Sequence, residues 1–251
     1  MSKTKIGIVG IAGRMGLAIA RTAILDKNIN LVAGSEKKNS KLIGTNIGTL
    51  LGEEKADVEI TSDIGSFFKE LDVVIEFGLE KATLEYLKSA KKYKRAFVSG
   101  STGLSKKAIA ELKNASKTIP VFWAPNMSIG ANLVKDLASR ASKILAKDFD
   151  IDIIDHHHKH KKDTPSGTAI SIKEEIISKT KSYKKKVNII ATRSGDSTGE
   201  HKIIFSGNGE RVEISHISTS RDIFAKGAVE VSKWIKKKSK GFYNMKDFLI
   251  D

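Results

Sequence analysis

The fold is decided by a stretch near the start of the chain, which reads Lys5-Ile6-Gly7-Ile8-Val9-Gly10-Ile11-Ala12-Gly13-Arg14-Met15-Gly16. Its first five residues are a β-rich run, and the rest form a glycine-rich turn that leads into a helical pattern over 14–26. A second β-rich run follows at 30–33. Strand, glycine turn, helix and strand in this order predict a βαβ unit, in which the two strands are parallel.

The same alternation continues to about residue 128. Each strand-like run is followed by a helical or loop segment, which predicts a parallel sheet of the Rossmann type, covered by helices on both faces. The further strands are predicted at 58–61, 72–77, 96–99 and 120–123, and the helices at 83–94 and 106–116.

After Asn132 the pattern changes to that of a second, α+β domain with a mixed sheet. A helix is predicted to about residue 145, and a histidine-rich loop separates a strand at 150–155 from a helix that starts near 166. Strands follow at 187–192, 202–205 and 212–217, the last two joined by the hairpin signal Ser206-Gly207-Asn208-Gly209. A final helix at 223–236 is expected to return to the first domain. The predicted domains are therefore 1–128 plus 219–251 for dinucleotide binding, and 129–218 for substrate binding and oligomerisation.

Composition narrows the functional class. The 251 residues contain no cysteine, which excludes disulfides and thiolate metal ligands and favours a reducing, cytoplasmic location. The formal net charge is +15, but the lysines are spread along helical stretches without a nucleic-acid-binding module, so we expect no nucleic-acid partner. The apolar run at 6–12 is too short for a signal peptide or a membrane span, so we expect no membrane association.

The glycine-rich turn is the first candidate cofactor site. A pyrophosphate would bind the backbone N–H groups at the start of the following helix, and a carboxylate about 20 residues further on would accept hydrogen bonds from the adenosine ribose. Glu36 occupies that place, and Lys37 beside it could offset its charge, so both NADH and NADPH stay open. The alternative is an ordinary tight turn with a solvated acid. The residues assigned to the cofactor here are Gly10, Ile11, Ala12, Gly13, Arg14, Met15, Glu36 and Lys37.

Two later turns follow predicted parallel strands at their carboxyl ends, where this kind of sheet binds ligands. Taken alone, each is also consistent with a purely structural turn. Their backbone amides and hydroxyls could hold the nicotinamide carboxamide and ribose, which assigns Gly100, Ser101, Thr102, Ala124, Pro125, Asn126 and Met127 to the cofactor.

The most informative segment is rich in titratable groups and reads Asp155-His156-His157-His158-Lys159-His160-Lys161-Lys162-Asp163-Thr164-Pro165-Ser166-Gly167-Thr168-Ala169. Thr164 is expected to cap the next helix and Pro165 to occupy its first position, which offers N–H groups to an anion. A metal site through His156 and His160 is disfavoured by the interleaved lysines, so we expect no metal. A solvated basic loop is the other alternative. Acid and anion chemistry is favoured.

This segment resembles the signature of the 4-hydroxy-tetrahydrodipicolinate reductases, also called dihydrodipicolinate reductases. The resemblance runs in order through nearly the whole chain. It covers Gly13-Arg14-Met15-Gly16, Thr102-Gly103, Asn126-Met127-Ser128-Ile129-Gly130-Ala131-Asn132, Gly199-Glu200-His201, Gly209-Glu210-Arg211 and Phe224-Ala225-Lys226-Gly227-Ala228.

The resemblance implies hydride transfer from NADH or NADPH to a small dianionic cyclic imine on the diaminopimelate route to lysine, by a homotetramer. It implies that His157 is the proton donor, Lys161 its catalytic partner and a substrate ligand, and His158, Gly167 and Thr168 further substrate ligands. The chain departs from the family pattern at Asp152 and Asp155, where glutamates are usual, at His156, where a small residue is common, and at Gly78-Leu79-Glu80, which often reads threonine-arginine. The rival interpretations are a regulatory module that binds the cofactor without turnover and a basic nucleic-acid-binding protein.

Overall fold

The computed structural model describes residues 2–53 and 56–251, which form two compact units. The first unit runs through Met127 and resumes over Phe224–Asp251, and the second is Ser128–Ile223. Within the described ranges, no helix is both long and apolar enough to cross a membrane.

The first unit is built on a seven-stranded sheet in which all paired strands are parallel. The strands are β1 (Thr4–Val9), β2 (Ile29–Ser35), β3 (Ile60–Thr61), β4 (Val73–Glu76), β5 (Ala96–Ser99), β6 (Pro120–Trp123) and β11 (Gly241–Tyr243). Their order in the sheet is β11-β6-β5-β4-β1-β2-β3. The direction of winding reverses between β1 and β4, and the carboxyl ends of strands at such a point form a ligand-binding crevice.

The helices of this unit bury apolar stripes and small residues. They are α1 (Arg14–Leu25), α2 (Ile47–Leu51), α3 (Ile64–Phe67), α4 (Glu80–Tyr93), α5 (Lys106–Ala115), α8 (Asp222–Ile235) and α9 (Met245–Leu249). Ala225, Ala228, Val231 and Ile235 give α8 one buried face at helical spacing. Gly227 lets α8 pack closely, because a Cβ atom there would lie 1.8 Å from the Met127 carbonyl oxygen.

The second unit has a four-stranded mixed sheet with the order β10-β9-β7-β8. Its strands are β7 (Asp150–His157), β8 (Val187–Arg193), β9 (Gly199–Ser206) and β10 (Arg211–Ser218), and its helices are α6 (Ile129–Leu145) and α7 (Gly167–Lys179), with a short 3₁₀ turn at Lys181–Tyr183. Only β7 and β8 pair in parallel. Along β7 alternate residues are buried, so Asp155 and His157 point to the same face as the core residues Ile151 and Ile153.

The predicted fold class, a Rossmann-type sheet with a second α+β domain containing a mixed sheet, is confirmed. Several boundaries differ. The strand expected at 58–61 is only Ile60–Thr61, and β11 was missed because its three residues are too few for a periodic signal. The histidine-rich segment is loop only from His158, since β7 continues through His157 and pairs with β8 along that length. Thr164 does not cap α7 and Pro165 does not begin it, because Ser166 is the cap.

Candidate active site

Glycines determine the shape of the turn after β1. Gly10 has φ 64, and a Cβ atom on it would meet nothing within 4 Å. A Cβ atom on Gly16 would lie 2.2 Å from the Gly10 carbonyl oxygen, so only glycine lets α1 begin this close to the turn. Gly13 is the N-cap of α1 and has no side chain to cover the N–H groups of the first turn. These N–H groups are therefore available to an anion.

Glu36 lies beside this turn, at the end of β2. Its Oε1 accepts a hydrogen bond from the Ala12 backbone N–H at 3.0 Å, and Oε2 accepts one from the Lys37 N–H at 3.3 Å. Glu36, the predicted ribose ligand, is thus hydrogen-bonded directly to the glycine-rich turn. Ile11 is fully buried and packs over Gly34, so it shapes the turn from the inside.

A buried carboxyl group organises the turn after β5. Glu76, at the end of β4, has no exposed surface, and its side chain meets the hydroxyls of Thr83, Ser99 and Ser101 at 2.9–3.1 Å. It also accepts a short hydrogen bond from the Gly78 N–H. Burial raises the pKa of Glu76 above its usual value, although these hydrogen bonds oppose the rise.

Ser101 is consequently fixed on several sides. Its hydroxyl also contacts the Gly78 carbonyl oxygen at 2.9 Å, and its own carbonyl accepts a hydrogen bond from Trp123 Nε1 at 3.1 Å. Gly100 is required before it, because a Cβ atom there would lie 2.1 Å from the Phe77 ring. The turn at 100–102 is therefore rigid, with Thr102 exposed.

The turn after β6 mixes buried and exposed residues. The Ala124 N–H bonds to the Ser99 carbonyl oxygen at 3.1 Å, which continues the sheet for one residue. Pro125 is exposed and Asn126 partly exposed, whereas Met127 is fully buried. Among the residues assigned to this turn, Pro125 and Asn126 are thus the ones with surface to offer a ligand.

The departure at Gly78-Leu79-Glu80 has a structural role. The carboxylate of Glu80 accepts hydrogen bonds from the Ser105 N–H at 2.6 Å and the Ser105 hydroxyl at 3.0 Å. Ser105 is also the N-cap of α5. Glu80 therefore ties the turn after β4 to the segment after β5.

In the second unit, the buried carboxylate of Asp155 collects cationic and imidazole groups from three strands. Its Oδ1 lies 3.0 Å from His157 Nε2 and 3.4 Å from His201 Nε2. Its Oδ2 accepts hydrogen bonds from Arg193 Nη2 at 2.9 Å and from the Ser166 N–H at 2.8 Å. Strand pairing explains the meeting, because Asp155 is opposite His201 on β9, and His157 is opposite Arg193 on β8.

These contacts keep Asp155 ionised. Burial alone would raise its pKa, but the interactions with His157, His201 and Ser166 outweigh burial and hold the pKa of Asp155 well below its usual value. Asp155, His157 and His201 also place three potential metal-ligand atoms within 4.8 Å of one another. The Arg193 guanidinium already supplies a positive charge to this carboxylate, which disfavours a metal ion beside it.

On the side away from Asp155, the His157 ring contacts the chain where β9 begins. Its Nδ1 lies 3.1 Å from the Thr198 carbonyl oxygen. Gly199 makes room for the ring, because a Cβ atom at that position would lie 2.7 Å from His157 Cε1. The imidazole therefore occupies a fitted slot, with 7% of the residue exposed.

Lys161 and the start of α7 already hold a carboxylate. Lys161 Nζ lies 2.8 Å from Asp163 Oδ1, and the pKa of Asp163 is lowered, first by this ammonium and also by the backbone N–H of Gly167. A Cβ atom on Gly167 would meet nothing within 4 Å. Lys161 and Gly167 thus converge on one anionic group, the Asp163 carboxylate.

His158 lines a different feature, an open cavity of ≈ 640 Å³. Loss of solvent, together with the charges of Arg221 and His160, lowers the pKa of His158. His158 is therefore suited to hydrogen bonding as a neutral ring, while the cavity's positive charge comes from lysine and arginine. The other lining residues are Lys159, His160, Gly195, Asp196 and Arg221.

Comparison with known proteins places nearly the whole chain in one family. Models of the dihydrodipicolinate reductase N-terminus and C-terminus match residues 4–127 and 130–249. The chain belongs to the dihydrodipicolinate reductase family. It is 38% identical to the 4-hydroxy-tetrahydrodipicolinate reductase of Buchnera aphidicola subsp. Schizaphis graminum, over 99% of this chain and 97% of the relative. It is 40% identical to the enzyme of the same name from Aquifex aeolicus, over 98% of each.

Solved structures support the family's fold. A dipicolinate-bound dihydrodipicolinate reductase from Paenisporosarcina sp. TG-14 superposes with a TM-score of 0.82 at 23% identity, covering 96% of this chain and 97% of that one. A probable dehydrogenase from Thermotoga maritima gives a TM-score of 0.62 at 15% identity, over 92% and 87%. The predictions of the family and of an oxidoreductase that uses NAD(P)H are confirmed.

The sequence interpretation missed several residues of the site. Asp155 was noted only as a departure from glutamate, and Arg193 and Ser166 were given no role. His201 appeared only within a motif of the resemblance. The alternation along β7 and β9 could have shown that Asp155 and His201 face inwards, but nothing local shows which residues meet across the sheet.

Proposed function

We propose that this reductase converts 4-hydroxy-tetrahydrodipicolinate, after loss of water, to tetrahydrodipicolinate, with His157 as the proton donor. The observation that carries the proposal is the buried His157 beside Asp155, ten residues before the start of α7, where Lys161 and Gly167 contact the Asp163 carboxylate. The family relationship supplies the substrate class, and the charges of the site suit a ring with two carboxylates.

The first unit has the features needed to hold NADH or NADPH. We assign the pyrophosphate to the turn from Gly10 to Met15, the adenosine ribose to Glu36 and Lys37, and the nicotinamide end to the turns at 100–102 and 124–127. Fit is supported by the open space at Gly10 and by the rigid Ser101, which is fixed through Glu76. When bound, the reduced nicotinamide supplies the hydride.

We assign one substrate carboxylate to Lys161 and the backbone N–H groups of Gly167 and Thr168. Asp163 supports this assignment, because its carboxylate already lies against Lys161 and Gly167 and so shows the charge that this place accepts. A substrate carboxylate would replace that side chain, which is more than half exposed and able to move away. His158 is assigned to the other side of the ring.

The reaction needs a proton as well as a hydride. Hydride addition at C4 of the conjugated imine places negative charge on the ring, and a proton from His157 completes the reduction of the carbon–carbon double bond. The Lys161 ammonium stabilises that developing charge, and fixing both carboxylates orients C4. His157 then regains its proton from solvent before the next turnover.

We further propose a cytoplasmic homotetramer in which residues 129–218 carry the substrate site and the subunit contacts. The four-stranded sheet supports this role, because Ile190 on β8 and Ile217 on β10 are 53% and 62% exposed. Apolar side chains in such positions are typical of a covered face.

His157→Gln separates chemistry from binding. Glutamine can form hydrogen bonds but cannot act as an acid, so turnover should fall by ~10²-fold or more with NADH affinity unchanged. His156→Gln is the matched control, because His156 lies on the opposite face of β7 and contacts Thr192 Oγ1 at 2.7 Å.

The assay follows NADH absorbance with enzymatically generated substrate. Near-normal turnover of His157→Gln would remove His157 from the proton-donor role. NADH binding without any consumption by the wild-type chain would point instead to a regulatory module, and loss of activity on chelation would point to a metal.

A further inference from the structure

We propose that Asp155 is a positioning residue that holds His157 as an imidazolium and so keeps the proton donor charged. The inference rests on the proposed function in one respect, which is that His157 is the donor. It assigns a role to a carboxylate that does not itself touch the reacting atoms.

The Thr198 carbonyl determines the protonation of one ring nitrogen of His157, Nδ1. A carbonyl oxygen can only accept a hydrogen bond, so the contact at 3.1 Å requires a proton on His157 Nδ1. Gly199 and Thr198 belong to the same segment of chain and hold the ring in this orientation. Nε2 is consequently the nitrogen that gains and loses a proton.

Asp155 determines the protonation of the other ring nitrogen of His157, Nε2. Oδ1 lies 3.0 Å from Nε2, and a neutral ring would place the Nε2 lone pair against an anionic oxygen. A proton on Nε2 replaces this repulsion with an ion pair in a buried place, where the attraction is weakly screened. With Nδ1 already protonated, the favoured state is the imidazolium.

The contact between Asp155 Oδ1 and His157 Nε2 is short, but its geometry is not that of a hydrogen bond. Within the described ranges, Asp155 Oδ1 and His157 Nε2 are both buried atoms for which no hydrogen-bond geometry is satisfied. Proximity therefore stabilises the charge without directing the Nε2 proton wholly at the carboxylate.

Asp155 is itself fixed and cannot follow the ring. Arg193 Nη2 and the Ser166 N–H occupy Oδ2 and leave Oδ1 for the imidazoles. Arg193 is further anchored by the carbonyl oxygens of Asp155 and Asp163 at 3.1 and 2.7 Å. The titratable and charged groups that face the cluster are Asp155 on β7, His158 after it, Arg193 on β8, His201 on β9 and, beyond it, His216 on β10.

The direct test is NMR of the resting enzyme labelled with ¹⁵N-histidine. His157→Gln identifies the His157 signals, and proton–nitrogen correlations show which ring nitrogens carry hydrogen. We expect both nitrogens of His157 to stay protonated at about pH 8, where an unperturbed histidine is neutral. A neutral His157 ring near pH 7 would overturn the proposal, whatever the enzyme's activity.

Asp155→Asn tests the consequence for turnover. Removing an opposite charge at this distance should move the alkaline fall of kcat/KM at least about one pH unit lower, a loss of ~10-fold between the old and new midpoints. KM for NADH should not change. Asp155→Glu keeps the negative charge, so its dependence of kcat/KM on pH should be close to that of the wild type.

The matched control is Asp152→Asn, which makes the same change on the exposed face of the same strand, where Asp152 accepts a hydrogen bond from the Asn188 amide at 2.8 Å. We expect its pH profile to match the wild type. A merely structural role for Asp155 would lower activity by one factor at all pH values, and that result would refute the proposal. Activity that survives His157→Gln would instead refute the proposed function, while the NMR result would stand.

Discussion

Gly199→Ala tests whether the fitted slot for His157 matters for turnover. The added Cβ atom would lie 2.7 Å from His157 Cε1 and 3.1 Å from Nδ1. Carbon atoms in contact normally lie ~3.5–4.0 Å apart, so the ring must move by ~1 Å. It cannot move towards Asp155, whose Oδ1 is already 3.0 Å from Nε2.

Two effects of different size follow. Overpacking of this kind typically costs ~1–3 kcal/mol of unfolding free energy. A misplacement of ~1 Å in a catalytic group can cost ~10²-fold in rate. We therefore expect kcat to fall by ~10²-fold while NADH affinity is retained, because the substitution lies in the second unit and leaves the turns of the first unchanged.

The control is Gly207→Ala, whose Cβ atom would lie 2.7 Å from the Phe149 ring in the same unit. It imposes a comparable overlap away from His157, so it should destabilise the protein but leave kcat near the wild-type value. The measurements are denaturant unfolding of both variants and steady-state kinetics. Equal kcat values for the two variants would refute the argument that the position of the His157 ring is critical.

Other expectations concern the cofactor turns and the substrate carboxylates. The specificity constant for NADPH should lie within about tenfold of that for NADH, a difference of ~1.4 kcal/mol. Glu36→Ala should shift the ratio of the two specificity constants towards NADPH, because the Lys37 ammonium is then no longer offset. An unchanged ratio would remove both residues from coenzyme selection. Because the pKa of Glu76 is raised by burial, the stability that this group contributes is fully present below pH 4.5 and is lost as pH rises through the folded-state pKa. Glu76→Gln should therefore flatten the dependence of unfolding free energy on pH above pH 4.5, and an equally steep curve would show that Glu76 does not titrate there. Pyridine-2,6-dicarboxylate should compete with substrate, with one of its carboxylates at Gly167 and Thr168. Pyridine-2-carboxylate lacks one of the two carboxylates and should inhibit at least about tenfold more weakly. Equal inhibition constants would leave only nonspecific attraction of anions to the protein.

The sequence alone determined the class of fold. A glycine-rich turn between a strand and a helix is encoded locally, because Gly10 needs φ 64 and Gly16 needs a missing Cβ atom. Alternating strands and helices then leave a parallel sheet as the arrangement that buries both faces. The histidine-lysine segment was equally visible, because titratable residues and a helix start lie within 15 positions of one another.

Only the tertiary structure decided which groups meet around the proton donor. Arg193 is 38 positions from Asp155 along the chain, yet strand pairing brings it to the carboxylate. His201 arrives in the same way from β9. Helix caps and residue types depend on near neighbours and can be predicted, although Ser166 shows that even a cap can shift by two positions. Pairing register depends on contacts between distant segments, so the partners of His157 become known only when the sheet is assembled.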